Sequence, residues 1–255
     1  MRPLARESLT EGAYRSLRSE LMTGGLRPGE RLTVRELAAR LGTSSTPARE
    51  AILRLTTERA LRSERGGTVR VPLPTCKEFL AIRDLRVLLE GHAGATAARL
   101  APPKTVERLE TLHAKRCTAR SNGDFRQSLR YNQMFHTVLC EAADNPELLR
   151  IVEGLWVQAG PLLNFLIEHD PGVPEPSVHQ HVAIIEGMRA RDSEAVRLAI
   201  AADITIGGAP ILKNLAGLDE QDVAPVSVEP EIVSAGTAST GTGTKAVALM
   251  KRTRR

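Results

Sequence analysis

The sequence lacks the features that would place it in a membrane, in a secreted compartment or among redox enzymes. Its first residues, MRPLARESLTEGAY, contain no apolar run of about seven or more, and no later segment approaches the roughly eighteen needed to cross a bilayer. A soluble, cytoplasmic protein without a membrane partner is expected. Cysteine is scarce: Cys76, Cys117 and Cys140 are odd in number, far apart and without C-x-x-C spacing. This argues against a disulfide framework, a structural zinc site or a redox dithiol, and the three read as reduced packing residues. Lysine is missing from the first 75 residues, which hold fourteen Arg against eight Glu, a net charge of +6 beside +5 for the whole chain. A basic module joined to a near-neutral one points to a polyanion, because neutralising phosphates releases counterions.

What the chain does contain is length enough, at 255 residues and 42% apolar content, for two ordinary domains. From Leu9 to Met22 the apolar positions Ala13, Leu17, Leu21 and Met22 recur at helical spacing, and the helix stops at Thr23-Gly24-Gly25. Leu26-Arg27-Pro28-Gly29-Glu30 reads as a tight turn. Thr33 is placed to cap a short helix with an inner stripe of Val34, Leu37, Ala38 and Leu41, ended by Gly42. After Thr43 and Ser44, Ser45 or Thr46 can cap a third helix that runs to about Arg59, with Pro47 in its first turn. Ala48, Ile52 and Leu55 form its inner stripe, while Ser45, Thr46 and Arg49 project from the other side of its start. Two helices joined by three or four residues, the second presenting polar groups near its N-terminus, is the geometry that brings side chains to major-groove base edges. Arg49 is the natural reader, since a guanidinium bonds guanine in bidentate fashion. Residues 61–71 then alternate around Gly66-Gly67 as a β-hairpin with Arg65 at its tip, where it would lie beside the DNA backbone or minor groove.

The stretch LRPGERLTVRELAARLGTSSTPAREAILRLTTERAL resembles the N-terminal domain of GntR-type bacterial transcription regulators across residues 9 to 71. The resemblance implies that Arg35, Ser44, Thr46, Arg49 and the wing glycines Gly66 and Gly67 contact DNA. Two positions depart from the family's pattern: Ser45 stands where Arg is usual, and Ala60 where Gly is usual. Ser45 removes a charge and with it a phosphate or base contact that Arg could make, so either an operator different from the common one or a lower affinity is expected. Ala60 should cost about 1 kcal/mol if that position needs a positive φ.

Pro72-Leu73-Pro74 reads as a stiff linker. Helical patterning then fills residues 77 to 206, punctuated at Ala101-Pro102-Pro103, Ser121-Asn122-Gly123, Asn145-Pro146, Pro171 to Pro176 and Arg191-Asp192. The expectation is a mainly α protein: a winged helix-turn-helix of three helices and a β-hairpin wing over residues 1–71, a linker over 72–78, and an all-α bundle of six or seven helices over 79–207. Residues 208–255, rich in Gly, Ala, Thr and Ser and basic at the end, are expected to be a disordered tail.

Within the bundle, several polar residues occupy inward positions. Asn132 and His136, four residues apart, share one helix face. His181 leads the stripe Ile184, Ile185 and Met188, and Asp203 follows Val196, Ala199 and Ile200 on theirs. If the chain turns back at Arg191-Asp192, His181 and Asp203 lie about 15 and about 17 Å from the bend, nearly at one level. Two His, one carboxylate and one amide oxygen converging in a bundle can hold a divalent ion such as zinc, nickel or manganese. His179, two residues from His181, cannot share its face; His92, His113 and His169 read as surface or packing residues.

The bundle resembles the FCD effector domain of the FadR subgroup of GntR regulators, through DLRVLLEGHAGATAA, YNQMFH and QHVAIIEGMRARDSEAV over most of residues 79 to 206. In metal-binding members an Asp usually stands at the Asn132 position and a His at the Asp203 position. The exchange keeps the formal ligand charge at −1, which suggests compensation and a retained site of Asn132, His136, His181 and Asp203. The resemblance further implies a small carboxylate effector near the metal, with Arg86 as its candidate partner; an ion pair of Arg86 with Glu90 is the competing role. It also implies a homodimer on a palindromic double-stranded DNA operator. A metal-dependent enzyme is disfavoured by the lack of a general base or nucleophile motif. A DNA-binding protein with a dead pocket is the third alternative.

Overall fold

The computed structural model describes residues 9–167 and 177–222. Helix α1 (Leu9–Met22) buries Ala13, Leu17, Leu21 and Met22, the four residues its periodicity singles out. Strand β1 (Arg31–Thr33) leads into α2 (Val34–Arg40), whose start is fixed by a capping box: the Thr33 hydroxyl accepts from the Glu36 amide, and the Glu36 carboxylate accepts from the Thr33 amide. Helix α3 (Ser45–Thr57) begins one residue earlier than expected, with Ser44 as N-cap in place of Ser45 or Thr46, and ends two residues before Arg59. Pro47 still falls in the first turn, where its missing N–H has no intrahelical acceptor to lose.

The wing consists of β2 (Arg62–Ser63) and β3 (Thr68–Arg70), joined by a short 3₁₀ turn at Arg65–Gly67 in which Gly66 and Gly67 both have φ near +75°. Strand β1 is a third, unforeseen member of the sheet. The order is β1-β3-β2, all antiparallel, with Leu32 opposite Val69 and both turned into the core. Three residues are too few for alternation to reveal a strand in sequence.

Ala60 has no positive φ. The left-handed residue is its neighbour Arg59, at φ +60°. The strain considered for Ala60 therefore falls on Arg59, while Ala60 is buried against the end of α3.

The first helix of the bundle starts inside the expected linker. A Thr75–Glu78 capping box starts α4 (Cys76–Leu100). It is followed by α5 (Pro103–Ser121), α6 (Phe125–Glu141), α7 (Pro146–Ala159), a 3₁₀ turn at Gly160–Leu163, α8 (Asn164–Ile167), α9 (Ser177–Ala190) and α10 (Ser193–Asp222). The breaks at residues 101–103, 121–123 and 145–146 fall where Pro, Gly and Asn place them, and that at 191–192 where Arg191 turns left-handed, at φ +55°, and the Asp192 carboxylate accepts from the Glu194 and Ala195 amides; the Pro171–Pro176 break lies outside the described residues.

Helix α10 passes the expected boundary at residue 207 by fifteen residues, through Gly207, Gly208 and Pro210. Burial explains this: Ile211 and Leu215 are inside the core, and Gly208 lies against Phe79, where a Cβ would sit 3.3 Å from its ring. Tertiary packing outweighs local breakers here. The rest of the expected tail, from residue 223 on, lies outside the described residues.

The core is continuous between the two domains. Leu17, Leu21, Met22 and Leu26 of the N-terminal unit belong to one buried cluster with Trp156, Leu162, Leu163, Ile211 and Leu215 of the bundle. A second cluster fills the bundle's far end, around Phe135, Ile184, Met188 and Ile200.

Candidate functional site

Two sites emerge. The first is the outer face of α3 with the wing. Arg35, Ser44, Ser45, Thr46, Arg49, Arg65, Gly66 and Gly67 are all exposed. The Ser44 side chain makes no capping hydrogen bond, which leaves its hydroxyl available. The reading helix is held from behind: Arg54 pairs with Glu11 at 2.6 Å and lies 3.6 Å above the Tyr14 ring, and the Tyr14 hydroxyl bonds Glu58. Sequence reasoning missed Leu53, exposed at 68% on the same outward face as Thr46 and Arg49. An i, i+3, i+7 count from Thr46 would have found it; an apolar side chain on such a face suits a thymine methyl group.

The second site is inside the bundle. His136 on α6 is central: its Nδ1 lies 2.8 Å from Glu90 of α4, and its Nε2 lies 3.1 Å from Asp203 of α10. His181 of α9 brings its Nε2 to 3.6 Å from the other Asp203 oxygen. His136, His181 and Asp203 are buried, and their ligand atoms all lie within 4.8 Å of one another. Asn132, His136, Asp203, Arg86 and Trp156 line one cavity of about 50 Å³. The structure thus brings three of the expected ligand residues, His136, His181 and Asp203, together, while Asn132 shares the cavity lining with His136 and Asp203.

The electrostatics follow from this packing. Burial raises the Glu90 carboxyl, but Arg86 at 2.6 Å and His136 outweigh it and hold it at about 2. Burial likewise lowers His136, yet Asp203 and Glu90 push it up to about 9. His181 goes the other way: burial, with Arg116, His136 and His113 nearby, keeps it well below the usual range and so neutral. Its ring stacks on Phe135 at 4.0 Å between centroids, and neither of its nitrogens finds a hydrogen-bond partner among the described residues.

These residues fit a divalent ion. Ligands at about 2.0 to 2.1 Å around a tetrahedral centre stand roughly 3.3 Å apart. His136 and His181 each come close to that from a different Asp203 oxygen, at 3.1 and 3.6 Å, and one ligand atom from each of the three residues falls within 4.8 Å of the others, so small side-chain shifts would close the set on an ion. His181 Nε2 and Asp203 Oδ1 are buried and unpartnered, an arrangement that is costly unless something binds both. Glu90 stands where a carboxylate orients a ligating histidine through its other nitrogen.

Arg86 takes the competing role considered for it: it bonds Glu90, and its guanidinium lies 3.9 Å above the Trp156 ring while still lining the cavity. Glu90 as the partner of His136 was not foreseen, because it depends on how α4 crosses α6. Its signal in the sequence is a carboxylate one residue before the buried Gly91-Ala93-Gly94 surface. Of the other histidines, His92 is exposed, and His113 is half-buried with its ring 5.5 Å from His181 and its Nε2 3.7 Å from the Cys117 thiol. His169 and the side chain of His179 lie outside the described residues. None of the three cysteines forms a disulfide among the described residues.

Comparison with known proteins agrees with both halves. Residues 9–71 match the gntR family of bacterial regulatory proteins, and residues 81–205 match the FCD domain. The chain is 32% identical over 195 residues to the HTH-type transcriptional regulator McbR of Escherichia coli (strain K12), spanning 76% of this chain and 88% of that protein. It is 28% identical over 227 residues to the HTH-type transcriptional repressor NanR of Cronobacter sakazakii, covering 78% of this chain and 84% of that protein. Among solved structures, E. coli McbR/YncC superposes with a TM-score of 0.74 at 30% identity, over 85% of this chain and all of that one. With a GntR reading head followed by a helical FCD bundle, and with relatives that are transcription regulators over most of their length, the chain is a DNA-binding transcription regulator of the GntR family and not an enzyme.

Proposed function

We propose that this regulator is controlled by a small carboxylate that binds beside a divalent ion in the bundle cavity. The observation that carries the reading is the convergence of His136, His181 and Asp203, with two of their ligand atoms buried and unpartnered. Those three, with the Asn132 amide oxygen, hold the ion, whether zinc, nickel or manganese; bound there, it supplies a Lewis-acidic docking point. Neutral His181 is already in its ligating form, and Glu90 orients His136.

A charge count supports the anionic effector. Arg86 offsets one of the two carboxylates Glu90 and Asp203, and Arg83 in the cavity lining and buried Arg116 beside His181 add positive charge, so a divalent ion would leave the site cationic and suited to an anion. A cavity of about 50 Å³ admits only a few water-sized groups, which favours a small acid. Arg86, already tied to Glu90, lends its charge to that acid.

On the DNA side, Arg49 reads a base edge, Thr46, Ser45 and Ser44 contact the groove or backbone, Arg35 neutralises a phosphate, and the wing with Arg65, Gly66 and Gly67 lies on the neighbouring groove. The reading places the regulator in the cytoplasm, with its DNA, as a homodimer whose two heads read the half-sites of a palindromic operator.

A metal-free reading is favoured by one observation: His136 lies within 3.1 Å of carboxylates on both sides, a charge pattern that a proton alone satisfies. Metal analysis of untagged protein separates the two. About one ion per chain, and a thermal shift with metal plus acetate that acetate alone does not give, is expected. Metal-free protein that takes up no added zinc would refute the metal site.

A further inference from the structure

The strip of chain from the end of α7 into α8 touches two places at once. Trp156, Ala159, Leu163 and Leu166 line the bundle cavity. Gly160 and Asn164, interleaved with them, face the end of α1 instead. At Gly160 the backbones come so close that a Cβ would stand 2.2 Å from the Leu21 carbonyl and 2.7 Å from Met22. Asn164 is 4% exposed, and its amide donates to the carbonyls of Gly24 at 2.9 Å and Leu26 at 3.1 Å, as well as to Pro161 in its own turn. The left-handed Gly24, at φ +70°, is backed by the same amide and by Leu129, which also lines the cavity.

The wall between cavity and reading head is therefore one residue thick: Leu163 faces the cavity, and the next residue, Asn164, holds the Gly24–Leu26 turn by its main chain. That turn joins α1 to β1 and sets how the head sits on the bundle. Close-packed walls of this kind switch between discrete arrangements more readily than they deform. We propose that Asn164 is a positioning residue for DNA recognition, its amide carrying the state of the cavity wall at Leu163 to the turn that orients the reading head. The inference rests on the cavity being the regulatory site.

The test uses the full-length protein, a duplex selected from a random pool by the metal-stripped wild type, and zinc with acetate as the probe. Fluorescence anisotropy gives the Kd for DNA with and without the probe, and calorimetry gives zinc binding. In the wild type the probe is expected to change the Kd at least about fivefold, the lower range of allosteric coupling. Asn164→Asp, of equal size but without the donor, and Asn164→Ala are expected to bind zinc within about threefold of wild type, while the probe changes their DNA Kd less than about twofold. A wild-type-sized response in either variant overturns the role of Asn164 and leaves the regulatory reading standing. No response in the wild type despite bound zinc overturns the regulatory reading, and the inference with it. A measurement that needs no variant is hydrogen exchange in the wild type: the amides of residues 21–26 are expected to change on adding the probe, and their indifference would overturn the inference as well.

Discussion

Zinc binding to this protein should release one proton per ion across the physiological range, and its affinity should climb tenfold for each pH unit between pH 6 and 8. His136 is lodged between Glu90 at 2.8 Å and Asp203 at 3.1 Å, so that burial is overcome and the imidazole is pushed up to about 9. Below that pH the metal-free protein keeps a proton there, and an imidazole must be neutral to ligate. His181, held low by burial and by Arg116, His136 and His113, is neutral throughout and has no proton to give up. Glu90, at about 2, stays ionised and adds no slope. The cost of expelling one proton is about 1.4 kcal/mol for each unit below the His136 value. Between pH 8 and pH 6 this amounts to about 2.7 kcal/mol, a hundredfold in affinity. Competition against a chromophoric chelator gives the affinities, and calorimetry in two buffers of different protonation enthalpy counts the protons. Two ordinary histidines would instead give a flat profile above pH 7 and a slope approaching two below pH 6. Either pattern would refute the placement of His136 between two carboxylates.

Other expectations follow from particular side chains. Replacing Arg49, exposed at the start of the reading helix, with Ala should cost about 1 to 3 kcal/mol of operator binding and relax the preference at one base pair; a selection experiment showing uniform weakening on all sequences would make it a phosphate contact. Arg59→Gly, at φ +60° on an exposed turn, should stabilise the fold by about 1 kcal/mol in urea denaturation, since Gly pays no Cβ penalty in that conformation. Glu90→Gln should lower zinc affinity about 10- to 100-fold by weakening the orientation of His136. The same change leaves Arg86 half-paired in the core, so the melting temperature of the metal-free protein should drop as well; an unchanged affinity would show that Glu90 serves Arg86 alone.

The elements that could be read in the sequence are those whose information is local. Helix α1, the Thr33 cap of α2 and the inward stripe of α3 all follow from spacing within a dozen residues, and the structure places them accordingly. The continuation of α10 is different. Gly207, Gly208 and Pro210 are strong breakers by themselves, and the Asn214 amide bonds the Pro210 carbonyl one turn away. Only the burial of Ile211 and Leu215 in the core, with α10 packed along α4, makes the helix pass through them, and that burial depends on a fold not yet formed when the residues are read one by one. The same holds for β1, which is a strand only because Val69 is opposite Leu32.

The bundle site divides along the same line. The level of His181 with Asp203, and the shared face of Asn132 and His136, are matters of helical rise and turn, so they could be worked out beforehand. The formal charge of the ligand set could also be counted: relative to the pattern implied by the FCD resemblance, the carboxylate has moved from position 132 to position 203 without changing the total. What counting cannot give is where the moved charge points. Asp203 reaches both histidines from α10, while Glu90 approaches the far side of His136 from α4. An exchange that is neutral as arithmetic thereby places one histidine between two carboxylates and leaves the other with none but Asp203 near it. The two become chemically unequal, one holding a proton up to about pH 9 and the other shedding its proton well below the usual range. In the proposed site a metal would compete with a proton at His136 alone, a property of the packing of α4, α6 and α10 and of no single residue in them.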